Sequence, residues 1–211
     1  DVGFVRHVPA ASEVYRACLV EDPGYAPAWA RLGRACRVMA KWGMGDPVEN
    51  LRLAKEAFEK ALSINPELAV AHNLYTFYEV EELGRAREAM TRLLARVRAR
   101  PTDPDLFAGL VLACRFCGLL DESLAADRRA KRLDPAIRTS VGFTHWFAGD
   151  PARAMESEDQ DMRWLVLYSL PLLGREADAI DEARRIRARH VDGPNALALD
   201  GFIGALEGRA A

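Results

Sequence analysis

The sequence predicts an all-α protein built as a stack of antiparallel helix pairs, and three observations carry that prediction. Apolar residues recur at helical spacing: Trp29, Leu32, Gly33 and Cys36 stand at i, i+3, i+4 and i+7. Prolines and glycines punctuate the chain almost periodically. Pro23, Pro66, Pro101 and Pro135 are 43, 35 and 34 residues apart, and Gly84, Gly118, Gly149, Gly174 and Gly208 are 34, 31, 25 and 34 apart. No stretch alternates apolar and polar residues as a half-buried strand would. Units of this size cannot bury their own apolar faces, so copies must stack.

Helices are expected near 10–21, 26–41, 47–64, 67–83, 85–100, 104–117, 120–133, 136–148, 151–158, 162–173, 175–190 and 195–207. The unpatterned Asp1–Pro9 is expected to be an extended segment ahead of a single domain over 10–211. Ala11, Tyr15, Cys18 and Pro23 match the second helix of a unit whose first helix is missing, so the chain is expected to be a fragment of a longer protein. In the first full pair, Trp29, Leu32, Gly33 and Cys36 face Ala54, Phe58 and Ala61. The small residues allow close approach, and Trp29 and Phe58 fill the space between the helices. The extra residues of this pair, Lys41–Asn50, are expected to project from an edge. Asp46-Pro47, Asp103-Pro104, Asp134-Pro135 and Asp150-Pro151 each offer an Asp cap followed by Pro at the first helical position.

Later pairs are looser. His72 takes the place of Trp29 and Tyr75 that of Leu32, with Leu93 for Phe58. Phe107, Leu110 and Cys114 form the third stripe, while Asp127 puts a carboxylate where Phe is expected. The fourth pair keeps Val141, Gly142 and Ala154, but its second helix runs into Glu156–Asp161 and is expected to be short. The fifth keeps Val166, Gly174, Ala179 and Ala183. The basic runs Arg92–Arg100 and Arg184–His190 are expected to be solvated outer faces.

Trp29-x2-Leu32-Gly33-x2-Cys36, then Ala54-x3-Phe58-x2-Ala61 and Pro66, resembles the tetratricopeptide repeat signature, with Cys for Tyr and a longer span. The family period is about 34 residues. The resemblance implies a right-handed α-solenoid superhelix of about five repeats whose first helices line a concave groove for a protein or peptide. It places Arg34, Arg37, Asn73, Phe77, Arg115, Phe116, Trp146 and Tyr168 in that groove. The arginines would hold carboxylates through their forked donors, and the aromatic end would take an apolar anchor. An alternative stays open, in which a short fourth repeat tucks Phe143, Trp146 and Trp164 into the core. The groove places that grip chaperone C-termini in some family members carry Ala30, Arg34, Leu74, Asp105 and Gly109 here, which mostly fails that pattern. The 41–50 insertion and the Ala-x-x-Ala-Phe style also resemble the repeat regions of bacterial serine/threonine kinases and cyclase-linked regulators. They imply a signalling scaffold, with a structural spacer or self-associating homo-oligomer as the bland alternative.

Composition narrows the classes. Of 211 residues, 29 are basic and 31 acidic, a net charge of −2 that argues against a general nucleic-acid binder. No apolar run is long enough to cross a membrane. Four irregularly spaced cysteines do not suggest a disulfide framework, so a reducing, cytoplasmic compartment is expected. Cys114-x-x-Cys117 is the one metal-like spacing. It lacks a second pair of ligands, so a metal or redox module is the lesser alternative and no cofactor is expected. No nucleophile elbow, Walker loop or H-E-x-x-H is present, and no enzyme activity is expected of this segment.

Overall fold

A computed structural model describes residues 2–156, 163–188 and 194–208. The helices are α1 (Val2–Glu21), α2 (Ala26–Lys41), α3 (Pro47–Ile64), α4 (Ala69–Phe77), α5 (Ala86–Ala99), α6 (Pro104–Phe116) and α7 (Leu120–Leu133). They continue with α8 (Val141–Phe147), α9 (Pro151–Glu156), α10 (Arg163–Leu172), α11 (Glu176–Arg187) and α12 (Pro194–Leu206). The described residues contain no strand. The first helices α2, α4, α6 and α8 each touch the next one in the row, while the second helices α3, α5 and α7 make no comparable mutual contact. A layer packed side by side against a splayed one must curve, with the first helices inside.

The first pair shows why the signature residues stand where they do. A Cβ on Gly33 would lie 3.0 Å from three ring atoms of Phe58, so glycine is what lets α2 and α3 approach this closely. Phe58 is fully buried and packs at 5.5 Å from the Tyr75 ring and 6.1 Å from Tyr78, which joins the first pair to the second. The Trp29 indole N–H donates to Pro23 O at 2.9 Å, tying α2 to the turn before it. Its replacement, His72, makes the same bond from Nε2 to Pro66 O at 2.8 Å. Phe107 has no such donor. There Arg129 lies over the Phe107 ring and donates to Pro101 O at 3.1 Å. Three different side chains therefore satisfy one recurring carbonyl.

The period irregularities have structural counterparts. The nine extra residues of the first pair do not project from an edge. Relative to α6 and α7, α2 is three residues longer, the turn two longer and α3 four longer. The turn over 42–46 is closed by Asn50, whose buried amide donates to Met44 O at 2.7 Å. The lengthened end of α2 carries Val38 and Met39, which with Trp42 of the following turn pack on Val8. That contact is why the segment expected to be extended is helical from Val2 onward. The single extra residue between Pro66 and Pro101 widens the end of α4 into a π-turn over Tyr78–Glu82.

Three of the four Asp-Pro pairs start helices: the Asp46, Asp103 and Asp150 carboxylates accept from backbone N–H groups at Val48, Asp105 and Arg153. The fourth does not. Asp134 instead closes a turn through Ala136 N at 2.9 Å, and α8 begins at Val141 rather than 136. Thr139 donates to Asp127 and the Ser140 carbonyl accepts from Arg115, so both hold the segment out of the helix. The same bond explains how a carboxylate survives at the core place of Asp127, with Lys131 at 3.3 Å on its other side. Helix α9 is described over Pro151–Glu156, and most of the acidic run in which it is expected to end, 157–161, lies outside the described residues.

The Arg92–Arg100 run is solvated at Arg98 and Arg100, as expected, but its side chains also carry contacts to the preceding helix. Arg92 bonds Glu79, reaches Thr76 Oγ1 at 3.0 Å and donates to His72 Nδ1 at 2.7 Å. Arg96 pairs with Glu67, and Arg100 donates to Glu67 O at 2.7 Å. In the second run, Arg187 ties α11 to Asp200 of α12, and Arg184 ties it to Glu207 just beyond that helix. His190 lies outside the described residues.

With Nδ1 accepting from Arg92 and Nε2–H donating to Pro66 O, His72 is held neutral. Burial and then the nearby Arg92 and Arg100 cations push its pKa below the ordinary value, against the Pro66 bond. The folded state thus binds the proton less readily than the unfolded one. Stability from this group is complete above about pH 6.5 and is lost as the pH falls below it. The urea midpoint should drop between pH 7.5 and 5.5, and His72→Gln should flatten that drop. An equal drop in both proteins would place the titration elsewhere.

Candidate functional site

The inner layer brings together charged side chains at one end and aromatic ones at the other. Arg34 is exposed on α2. Arg37, one turn on, is only 5% exposed and is already occupied. It bonds Glu81 of the π-turn, lies over the Phe77 ring at 5.6 Å, and has Nε 3.0 Å from Glu82 Oε1. That Nε–H is not aimed at the carboxylate, so the Glu82 contact is ionic only. Lys41 shares Glu81 at 2.8 Å. The π-turn is what delivers these acids: it sends Glu79 outward to Arg92 and Glu81 and Glu82 back to α2.

Asn73 is buried and donates to Asp105 Oδ1 at 2.9 Å, bridging α4 and α6. Burial raises the Asp105 pKa, an effect opposed first by the Asn73 bond. Arg115, which the resemblance places in the groove, is only 7% exposed. Its Nη1 donates to Ser140 O at 2.7 Å, Ser140 Oγ at 3.1 Å and Thr144 Oγ1 at 3.2 Å, joining α6 to α8. Phe116 beside it is 51% exposed.

The aromatic end divides. Phe143 and Trp146 are half-buried against Ala154 and Leu165, and Trp164 against the cluster of Leu167, Leu199 and Ile203. The core reading of these three therefore holds in large part. Phe147 and Tyr168 remain 58% and 46% exposed, with Leu172 also exposed. Tyr168 stands at 6.3 Å from the Trp164 ring and 6.2 Å from Phe202.

Comparison with solved structures supports the repeat architecture. The chain is similar to PilW, described as a widely conserved type IV pilus biogenesis factor. The two are 19% identical, with a TM-score of 0.54, over 92% of this chain and 91% of that one. It also aligns with Pseudomonas aeruginosa PilF at 17% identity and a TM-score of 0.47, over 95% and 93% of the two chains. No family model matches the chain, and no curated protein sequence matches it. The fold is an all-α solenoid of tetratricopeptide type. At this identity the likeness concerns the fold alone.

The cysteines belong to the packing. Cys36 and Cys114 are buried, and burial raises both thiols, Cys114 to about 11 with Cys117 and Glu122 adding to the effect. Arg16 opposes the shift at Cys36. Among the described residues no group of three or more His, Cys, Asp or Glu side chains could hold a metal ion. No described helix is long and apolar enough to cross a membrane. Cys36 and Cys114 should resist a thiol reagent at pH 8 until the protein is unfolded, because the thiolate is the reacting form. Prompt native-state labelling of either, read by peptide mass, would contradict their burial.

Proposed function

We propose that this chain is a protein-binding scaffold that holds a peptide or partner segment on its inner, first-helix face. The observation that supports this most is the set of exposed apolar side chains on successive first helices: Phe116 on α6, Phe147 on α8, and Tyr168 and Leu172 on α10. Aromatic anchors of this kind, beside arginine, are what recognition surfaces favour. Arg34 extends the surface toward the N-terminal end, while Phe77 is half-buried against the core beneath Arg37. Arg37 and Asn73 act within the chain, holding Glu81 and Asp105 in place.

The parent context proposed is a larger bacterial-type signalling protein, such as a serine/threonine kinase, working in the cytoplasm. It rests on the sequence resemblance of the first repeat, and the sequence preceding Asp1 in the parent gene tests it.

Phe116, Phe147 and Tyr168 can be replaced together by Ser as a test. Removing exposed side chains changes stability by about 0.5 kcal/mol or less each. Co-purification of partners from extracts of the source cells should fall at least about tenfold, while a Val48→Ser control on α3 leaves it intact. Equal recovery from both proteins would remove the inner face as the binding surface.

A further inference from the structure

The outer layer of second helices carries a bounded basic patch on α5 and α7. Phe58, Leu93 and Asp127 hold the same core place on α3, α5 and α7. The residues just after them are Glu59, Leu94 and Arg128, those five positions after them are Ser63, Arg98 and Arg132, and all six are exposed. On α3 the two outward places thus carry a carboxylate and a hydroxyl, on α5 a leucine and an arginine, and on α7 two arginines. Arg98, Arg128 and Arg132 have no hydrogen-bond or ion-pair partner among the described residues, whereas Arg52, Arg96, Arg175 and Arg184 are each paired.

No acidic residue stands between Glu88 and Asp103, nor between Asp127 and Asp134. The acids bordering the patch are engaged elsewhere. Asp103 accepts from Asp105 N, Asp127 from Thr139 and Asp134 from Ala136 N, and Glu67 is held by Arg96. The two helices come together at this end, because Arg129, next to Arg128, donates to Pro101 O, three residues past Arg98. Helix dipoles favour cations in the last turns of α5 and α7, which accounts for Arg98 and Arg132 taken singly. They do not account for Arg128, a turn earlier. Like charges gathered without counter-charge repel one another and attract anions.

We propose that Arg98, Arg128 and Arg132 form a docking surface for a short acidic protein segment, with the exposed Leu94 receiving an apolar side chain of it. The cations stand on two helices that make no close mutual contact, so they are spread along a line and do not converge on one phosphate-sized group. Each guanidinium fork can take a carboxylate through two parallel bonds. The patch is also bounded. Glu56 and Glu59 are exposed on α3 and Asp181 on α11, so a nucleic acid or anionic bilayer extending along the layer would meet charges of its own sign. This surface belongs to the second helices and does not depend on the inner-face reading.

Fluorescence anisotropy of the full chain at about 50 mM salt, where surface charges are weakly screened, tests this with labelled probes. One is a twelve-residue N-acetylated, C-amidated peptide of glutamates interrupted by two leucines, and its glutamine analogue is the second. A twelve-nucleotide single-stranded DNA is the third, and phosphatidylcholine vesicles containing phosphatidylserine, read by sedimentation, are the fourth. The glutamate peptide should bind at least about tenfold more tightly than its analogue, an advantage that shrinks at about 300 mM salt. Replacing Arg98, Arg128 and Arg132 together by Gln should abolish the advantage, while replacing Arg52, Lys55 and Arg175 by Gln should leave it intact; all six side chains are exposed. Should the first triple variant not fold, Arg128→Gln alone should reduce the ratio at least about threefold, the share of one charge-assisted pair among three. Leu94→Ser should weaken both peptides and keep their ratio. Equal binding of the two peptides overturns the proposal, as does an equal loss in both triple variants or tighter binding of the DNA or the vesicles. The ratio should survive replacement of Phe116, Phe147 and Tyr168 by Ser; its loss there would move the acidic segment to the inner face and overturn the outer site.

Discussion

Replacing Phe58 by Ala should lower the unfolding free energy by about 3–5 kcal/mol. The ring is fully buried against Gly33 at van der Waals distance and against Tyr75 and Tyr78, so its removal empties the junction of two repeats at once. Neighbouring backbone can close little of that space, because α3 is fixed by its Asp46 cap and α2 by the Trp29–Pro23 bond. Stability in a stacked array is a sum of unit and interface terms. The loss should therefore appear as a lower urea midpoint and, if the first pair uncouples, as a second transition. A midpoint within the error of the unaltered protein would mean that the α2–α3 interface is not the close approach described.

Removing Arg92 should cost a similar amount, about 3–5 kcal/mol, for an electrostatic reason. Its guanidinium is the partner of Glu79, whose side chain is 11% exposed, and it also satisfies His72 Nδ1 and Thr76 Oγ1. Arg92→Ala leaves a buried carboxylate unpaired, the circumstance in which breaking one side of an ion pair is most damaging. Glu79→Gln placed in the Arg92→Ala background should recover part of the loss, since it removes the uncompensated charge. A double variant no more stable than Arg92→Ala alone would show that the cost comes from lost packing on Tyr75, 5.4 Å away, and not from the orphaned charge.

Periodic features were legible in the sequence and compensating ones were not. The stripe of Trp29, Leu32, Gly33 and Cys36 and the partner stripe of Ala54, Phe58 and Ala61 announce a helix pair because each depends on local spacing alone. Asp46, Asp103 and Asp150 are legible as caps for the same reason. Asp134 fails because its segment is held out of the helix by Thr139 and Ser140, whose partners Asp127 and Arg115 lie 12 and 25 residues away. Arg92 and Arg96 look solvated until Glu67, His72 and Glu79 are brought beside them, while Arg98 and Arg100 stay exposed as their run suggests. Arg37 and Arg115 are indistinguishable by position on their helices. What separates them is the π-turn, which delivers two carboxylates to Arg37 and none to Arg115. The one-residue surplus between Pro66 and Pro101 marks that turn in the sequence, though a count alone does not say which helix absorbs it.

Site-specific photo-crosslinking tests the central claim most directly. A photoreactive phenylalanine placed singly at Phe116, Tyr168, Val14 or Val48 is irradiated in cells expressing the protein. All four positions are exposed, so each tolerates the probe. The first two stand on first helices of the inner layer; Val14 lies on α1 and Val48 on α3, outside it. The account predicts one common crosslinked product from Phe116 and Tyr168 and none from Val14 or Val48. The same product arising from α1 or α3 alone, with none from Phe116 or Tyr168, would contradict it.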